Sequence, residues 1–161
     1  MIFSFYFKRP ALIITSDEKI KKFILKINSK ILILNPIKRI KFFIKYSRLS
    51  ISISSFETKE LRSFLPPRSY LILNYDKESF GREVLANIVS YGFEKGSDFL
   101  ITDLNFLDKE VNFKINYKGS TIPFWIKNIK EKQDVYFVVA AIVANVCLGL
   151  NLVEISKKLS N

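Results

Sequence analysis

The stretch KEKQDVYFVVAAIVANVCLGLNLVEISKKL, residues 130–159, decides how the rest of the chain is read. From Val135 to Ala144 every residue is apolar, Asn145 interrupts, and Val146, Cys147 and Leu148 carry the run to Gly149. The run is too short for a membrane span, which takes about 20 residues. It reads instead as a helix buried among other elements, from about Gln133 to Leu148. Ala140, Ala141 and Ala144 leave room for close approach to a sheet. Gly149 suits the left-handed position that ends a helix. Asn151 and Glu154 then have capping-box spacing, so a second helix is expected over 152–159.

Strand signals precede this pair. Val111, Phe113, Ile115 and Tyr117 alternate with polar residues, Lys118-Gly119 makes a turn, and Thr121–Ile126 returns, so a hairpin is expected. Further strands are expected at Asp98–Thr102, at Ile88–Tyr91 before Gly92, and at 69–73. Residues 78–88 carry Phe80, Val84, Leu85 and Ile88 at helical spacing. A short helix over 56–64 ends at Pro66-Pro67. SISISS at 50–55 alternates strictly, though serine is a weak strand former. Residues 37–46 mix Lys with Ile and Phe and suit a basic helix or an edge strand. ILIL at 31–34 reads as a buried strand. Before it, Ile20, Phe23, Ile24 and Ile27 define an amphipathic helix, with Ser16 as N-cap and Asp17 and Glu18 at its positive end. ALIIT at 11–15 reads as a strand. The expected fold class is α/β, a partly parallel sheet with packed helices and a peripheral hairpin. Its first strand–helix–strand unit would complete the sheet.

The chain has 161 residues, 48% of them hydrophobic and 25% charged, which fits a packed domain rather than disorder. It has no histidine and one cysteine, Cys147, read as core packing. Serine–histidine and cysteine–histidine catalysis, histidine-containing zinc sites and an intramolecular disulfide are therefore excluded. The net charge of +11 lies wholly in residues 1–70, with 15 Lys and Arg against 4 Asp and Glu. Such a field suits nucleic acid, an anionic membrane surface or a phosphorylated ligand, and an AT-rich coding bias would also produce it. The N-terminus lacks the charge order and cleavage site of a signal peptide, so a cytoplasmic location is expected. A basic half, 1–70, thus lies beside a neutral one, 71–161, which suggests two parts with different histories or partners.

Within residues 57–161, the stretches LRSFLPPRSYLILNYDKE, IVSYGFEKGSDFLITDL, VNFKINYKGSTIPFWI and KEKQDVYFVVAAIVANVCLGLNLVEISKKL together resemble the later half of the central domain of Mur ligases, which join amino acids or peptides to UDP-linked muramic acid precursors at the expense of ATP; the extent of this match sets apart a basic strand–helix–strand segment, 1–56. LRSFLPPRSYLILNYDKE resembles the family's helix, loop and strand ending in Leu-Asn-Ala-Asp-Asp. IVSYGFEKGSDFLITDL resembles its Tyr/Phe-Gly strand and the strand after it, and VNFKINYKGSTIPFWI its peripheral strands. KEKQDVYFVVAAIVANVCLGLNLVEISKKL resembles the Gly-Lys-His-Asn-x-x-Asn-Ala helix, then Leu-Gly and the last helix. The nearest branch by this reading adds the D-alanyl-D-alanine dipeptide.

The resemblance implies nucleotide-site positions at Asn74, Asp76, Lys132, Gln133 and Asp134, and a carbamylated lysine near Lys59, a residue that by itself reads as a plain surface lysine. It implies ATP and magnesium as cofactors, but the pattern departs from the family at those points. No Gly-x-Gly-Lys-Thr/Ser loop, which would cradle phosphates with backbone N–H groups, is present. The family's magnesium ligands are not identifiable, and the sequence ends at Asn161, before the expected C-terminal domain. The motif's His-Asn falls on Gln133-Asp134, its later Asn on Phe137 and its preceding Gly on Glu131. Asp134 accepts hydrogen bonds but cannot donate them, which is unfavourable beside a polyanion. The second Asp of Leu-Asn-Ala-Asp-Asp is Lys77.

No catalytic or metal residue is therefore assigned and no cofactor is expected for independent action. The expectation is a truncated or degenerate Mur-ligase-like protein. Its possible partners are a true ligase chain, a second copy, or a UDP-linked precursor. One alternative is a piece of a split ligase, for which ATP and magnesium would return. The other is a basic module in which Lys38–Arg48, with Phe42, Phe43 and Tyr46, grips nucleic acid or an anionic membrane surface.

Overall fold

The computed structural model describes residues 10–36, 40–55, 59–78 and 84–161. Ala11–Ile14 (β1), Leu32–Leu34 (β2), Leu49–Ile53 (β3), Tyr70–Asn74 (β4), Asn87–Gly92 (β5) and Phe99–Phe106 (β6) pair in parallel. Glu110–Tyr117 (β7) and Ser120–Lys127 (β8) extend the sheet as an antiparallel hairpin. The eight strands run in the order β2-β1-β3-β4-β5-β6-β7-β8. Among the described residues four α-helices accompany them: Glu18–Ile27 (α1), Ile40–Tyr46 (α2), Lys132–Cys147 (α3) and Leu152–Ser160 (α4). The expected α/β class is the one observed.

Strand alternation sorts the core into two layers. Ile13, Ile51, Ile53 and Ile72 share one cluster with Ile20, Ile24 and Ile27 of α1 and with α3 and α4. Leu12, Ile14, Leu71 and Leu73 share the other with Ile40 and Ile44 of α2 and with Leu61 and Leu65. The alternation SISISS is thereby explained. Its isoleucines enter the first layer, and Ser50 on the opposite face pairs its hydroxyl with that of Ser69 at 2.7 Å. After β1 the chain passes through α1 to β2 on one side, then through α2 to β3 on the other. The space between β1 and β3 is thus a topological switch point, where open α/β sheets form ligand crevices.

The basic segment 1–56 and the remainder share this sheet, because β3 pairs with β4. The first and last helices also cap each other. Lys26 Nζ donates to the Leu159 carbonyl and Lys158 Nζ to the Ile27 carbonyl, both at 3.1 Å. Each lysine thus meets the negative end of the other's helix.

Four local expectations change. β2 is an edge strand rather than a buried one, with Leu32 exposed and Ile33 and Leu34 half-buried, because among the described residues it has a neighbour on one side only. The N-cap of α1 is Asp17, not Ser16, since the Asp17 carboxylate reaches the Ile20 N–H at 3.0 Å. The helix expected over 78–88 gives way to β5 from Asn87, and residues 79–83 lie outside the described ones. The segment over 56–64 is a 3-10 helix, Lys59–Phe64, with 56–58 outside the described residues.

α3 is buried along most of its length, and even Tyr136, near its N-terminal end, is only 6% exposed. No helix among the described residues is long and apolar enough to cross a membrane. Ala140 is fully buried in α3, so enlarging it forces overlap in a close-packed interior. Ala140→Leu is expected to cost about 1–3 kcal/mol in urea unfolding, whereas Val153→Ala on the exposed face of α4 should stay within about 0.5 kcal/mol of the parent.

Candidate functional site

A cleft of about 530 Å³ opens at the carboxyl ends of β1, β3, β4 and β5. Thr15, Ser54, Asn74 and Tyr91 come from those strand ends, and Gln133, Tyr136 and Phe137 from the start of α3. The cleft therefore occupies the switch point at which the fold favours ligand binding.

The turn from β1 into α1 forms one wall. Thr15 Oγ1 accepts the Asp17 N–H at 3.2 Å, and Asp17 Oδ1 accepts the Ile20 N–H at 3.0 Å. Two N–H groups of this turn, those of Asp17 and Ile20, are thus taken by its own side chains, and Asp17 and Glu18 put negative charge there. The opposite wall holds a polar cluster. Glu78 Oε2 accepts from Ser54 Oγ at 2.6 Å and from Arg62, which also contacts Ser54. Arg62 Nε is buried with no hydrogen-bond partner among the described residues.

The five sequence-assigned positions divide. Asn74 and Gln133 line the cleft, and Gln133 Oε1 accepts from Lys77. Asn74 Oδ1 also takes the Asp76 N–H at 3.1 Å, shaping the end of β4. Asp76, Lys132 and Asp134 lie outside the cleft wall. Asp134 pairs with Lys19 at 2.6 Å and so ties the starts of α3 and α1; this hydrogen bond raises the lysine's pKa. Lys132 places its ammonium 4.3 Å from the centroid of the Phe93 ring.

Asp76 is an internal clamp. Its carboxylate accepts the Phe93 N–H at 2.8 Å, the Glu94 N–H at 3.0 Å and the Tyr136 hydroxyl at 2.7 Å. It therefore joins the end of β4 to the turn after β5 and to α3. Burial alone would raise its pKa, but these three donors, helped by Lys132, hold it below the ordinary carboxylate value. Burial and the adjacent carboxylate in turn push the Tyr136 hydroxyl up. A Cβ on Gly92 would come within 2.3 Å of Asp76 Oδ1, so the glycine is required by this contact.

Sequence reading missed Thr15, Ser54, Arg62, Glu78 and Tyr136. Arg62 and Glu78 meet across a loop and belong to no spaced motif. Tyr136 was hidden within an apolar run. Asp17 was legible only as an acid at a helix start.

No family model matches the chain. Among curated proteins it is similar to the UDP-N-acetylmuramate–L-alanine ligase of Alkaliphilus metalliredigens, 27% identical over 106 residues, covering 63% of this chain and 23% of the relative. The corresponding ligase of Francisella tularensis subsp. novicida is 34% identical over 73 residues, covering 45% of this chain and 16% of the relative. Among solved structures, MurF from Acinetobacter baumannii superposes with a TM-score of 0.70 at 14% identity, over 96% of this chain and 46% of that one. The MurF ligase of Thermotoga maritima, in complex with ADP, gives 0.68 at 11% identity over 93% and 48%. The fold is thus the one found in Mur ligases, and the names of the sequence relatives support that family. The chain spans less than a quarter of the length of these curated relatives and about half that of the solved chains.

The β1–α1 turn carries Asp17 and Glu18 and has two of its N–H groups bonded to its own side chains, and no group of three or more Asp, Glu, Cys or His able to hold a metal occurs among the described residues.

Asp76→Ala leaves two backbone N–H groups and the Tyr136 hydroxyl without their acceptor and is expected to cost about 1–3 kcal/mol. Because the folded-state pKa is lowered, the carboxylate's contribution is full above its unfolded value and is lost as pH falls through the folded value. Chemical denaturation between about pH 7 and pH 2 should therefore show the parent and variant curves converging only at the acid end.

Proposed function

We propose that this chain is a Mur-ligase-like scaffold, related to the enzymes of peptidoglycan precursor synthesis, that does not catalyse ATP-dependent ligation by itself. The observation that carries this reading is the β1–α1 turn. Thr15 and Asp17 take up N–H groups there with their own oxygens, and Asp17 and Glu18 bring acidic charge to the helix start. Phosphoryl transfer depends on positioned positive groups and N–H donors around the phosphates. The altered stretch Glu131-Lys132-Gln133-Asp134 supports the same conclusion, because its Asp134 is engaged with Lys19.

The cleft that remains is balanced in charge, with Asp17 and Glu78 against Arg62 and Lys77. It suits a polar ligand of low net charge better than a nucleoside triphosphate. The branch that adds D-alanyl-D-alanine is supported by the MurF structures, whereas the sequence relatives carry the name of the L-alanine-adding ligase. A true ligase chain or a second copy is the partner we propose, since among the described residues β8 and β2 end the sheet with edges that a neighbouring chain could extend.

Titration calorimetry with ATP and magnesium, at low and moderate salt, is expected to give no saturable heat. Stoichiometric, magnesium-dependent and salt-tolerant binding would overturn this reading and support a split ligase instead.

A further inference from the structure

On the face opposite α1 and α3, α2 is anchored by Ile40 and Ile44, each 2% exposed. The intervening residues point outward. Phe42 is 61% exposed, Phe43 40% and Tyr46 49%, and Phe64 of the 3-10 segment is 49% exposed beside them. Lys41 joins the two elements, its ammonium 3.4 Å from the centroid of the Phe64 ring. Lys41, Lys45, Arg48 and Arg68 are all exposed. No Asp or Glu occurs between residues 40 and 55 or between 61 and 75; Glu60 lies in the first turn of the 3-10 segment. Arg68 donates to the carbonyls of Ile44, Lys45 and Ser47 at 3.2–3.4 Å, closing the end of α2 and fixing it to the loop before β4. The patch is therefore a fixed aromatic ridge with a cationic rim.

We propose that this ridge docks on an anionic lipid surface, with Phe42, Phe43, Tyr46 and Phe64 entering the headgroup boundary and Lys41, Lys45 and Arg48 meeting lipid phosphates. Aromatic and basic side chains on one face are what interfacial binding requires. The arrangement of the rings favours lipid over single-stranded nucleic acid. A base-stacking platform needs open ring faces. Here Phe42 packs against Tyr46 at 4.6 Å and perpendicular to Phe43 at 5.9 Å, while a face of Phe64 is covered by Lys41. Clustered, exposed rings of this kind form a wedge. The basic rim supplies the charge complementarity, each lysine near an anionic leaflet strengthening binding about fivefold.

Flotation of the full chain with vesicles tests this, comparing phosphatidylcholine alone with a phosphatidylcholine–phosphatidylglycerol mixture. The parent should float with the mixed vesicles and not with the neutral ones. Phe42→Ser with Phe64→Ser, and separately Lys41→Gln with Lys45→Gln, should each weaken partitioning about tenfold or more. Phe42→Trp adds a probe whose fluorescence brominated lipids should quench beyond the signal of Trp125 in the parent. Failure of the parent to float, equal flotation of the variants, or no added quenching would overturn the proposal. So would oligouridylate binding, by fluorescence anisotropy, that is tighter than vesicle binding and depends on the same aromatic residues.

Discussion

A helix with apolar residues on every side has to be covered on every side. α3 imposes that constraint, and the rest of the molecule answers it. The sheet covers one flank, and α1 and α4 the others, in a single continuous cluster. The close of α3 is set by Gly149 at φ 101°, after which Asn151 accepts the Glu154 N–H and starts α4. The basic N-terminal segment therefore belongs physically to this core. Ile20, Ile24 and Ile27 of α1 complete the cover, and the paired lysine caps between α1 and α4 fasten it.

The same helix brings the cleft together. Its first turns place Gln133, Tyr136 and Phe137 over the carboxyl ends of the parallel strands. Tyr136 donates to Asp76 and so ties α3 to the end of β4. The geometry expected of a ligand crevice has been kept. In its β1–α1 wall, Thr15 and Asp17 accept the N–H groups of Asp17 and Ile20. That combination separates the fold from the chemistry: an α/β switch point positions a ligand, but the residues around it decide which one.

Much of the fold was legible because its signals were local. The alternation of Val111–Tyr117, the break at Lys118-Gly119 and the apolar run after Val135 each correspond to an observed element. Edge position was not legible, since ILIL looks the same in the middle of a sheet as at its end. The period of Val84, Leu85 and Ile88 misled, because a parallel strand begins at Asn87 and its neighbours, not its spacing, fix its conformation. At the site, the positions assigned by resemblance lie at the start of α3 and just after β4 or at its end. Their surroundings are set by partners distant in sequence: Lys19 for Asp134 and Tyr136 for Asp76. The Arg62–Glu78–Ser54 cluster has no linear signature at all.

The most direct measurement is a residue-resolved amide NMR titration of the intact chain with magnesium pyrophosphate, following Asp17 to Ile20. If Thr15 and Asp17 hold their two N–H groups against a phosphate and the acidic charge keeps it away, the Asp17 and Ile20 amides should stay unshifted through millimolar ligand while exposed lysine-rich surfaces show only weak, salt-sensitive changes. Saturable shifts confined to the turn, persisting at moderate salt, would show an open phosphate site and contradict the proposed loss of ATP-dependent chemistry.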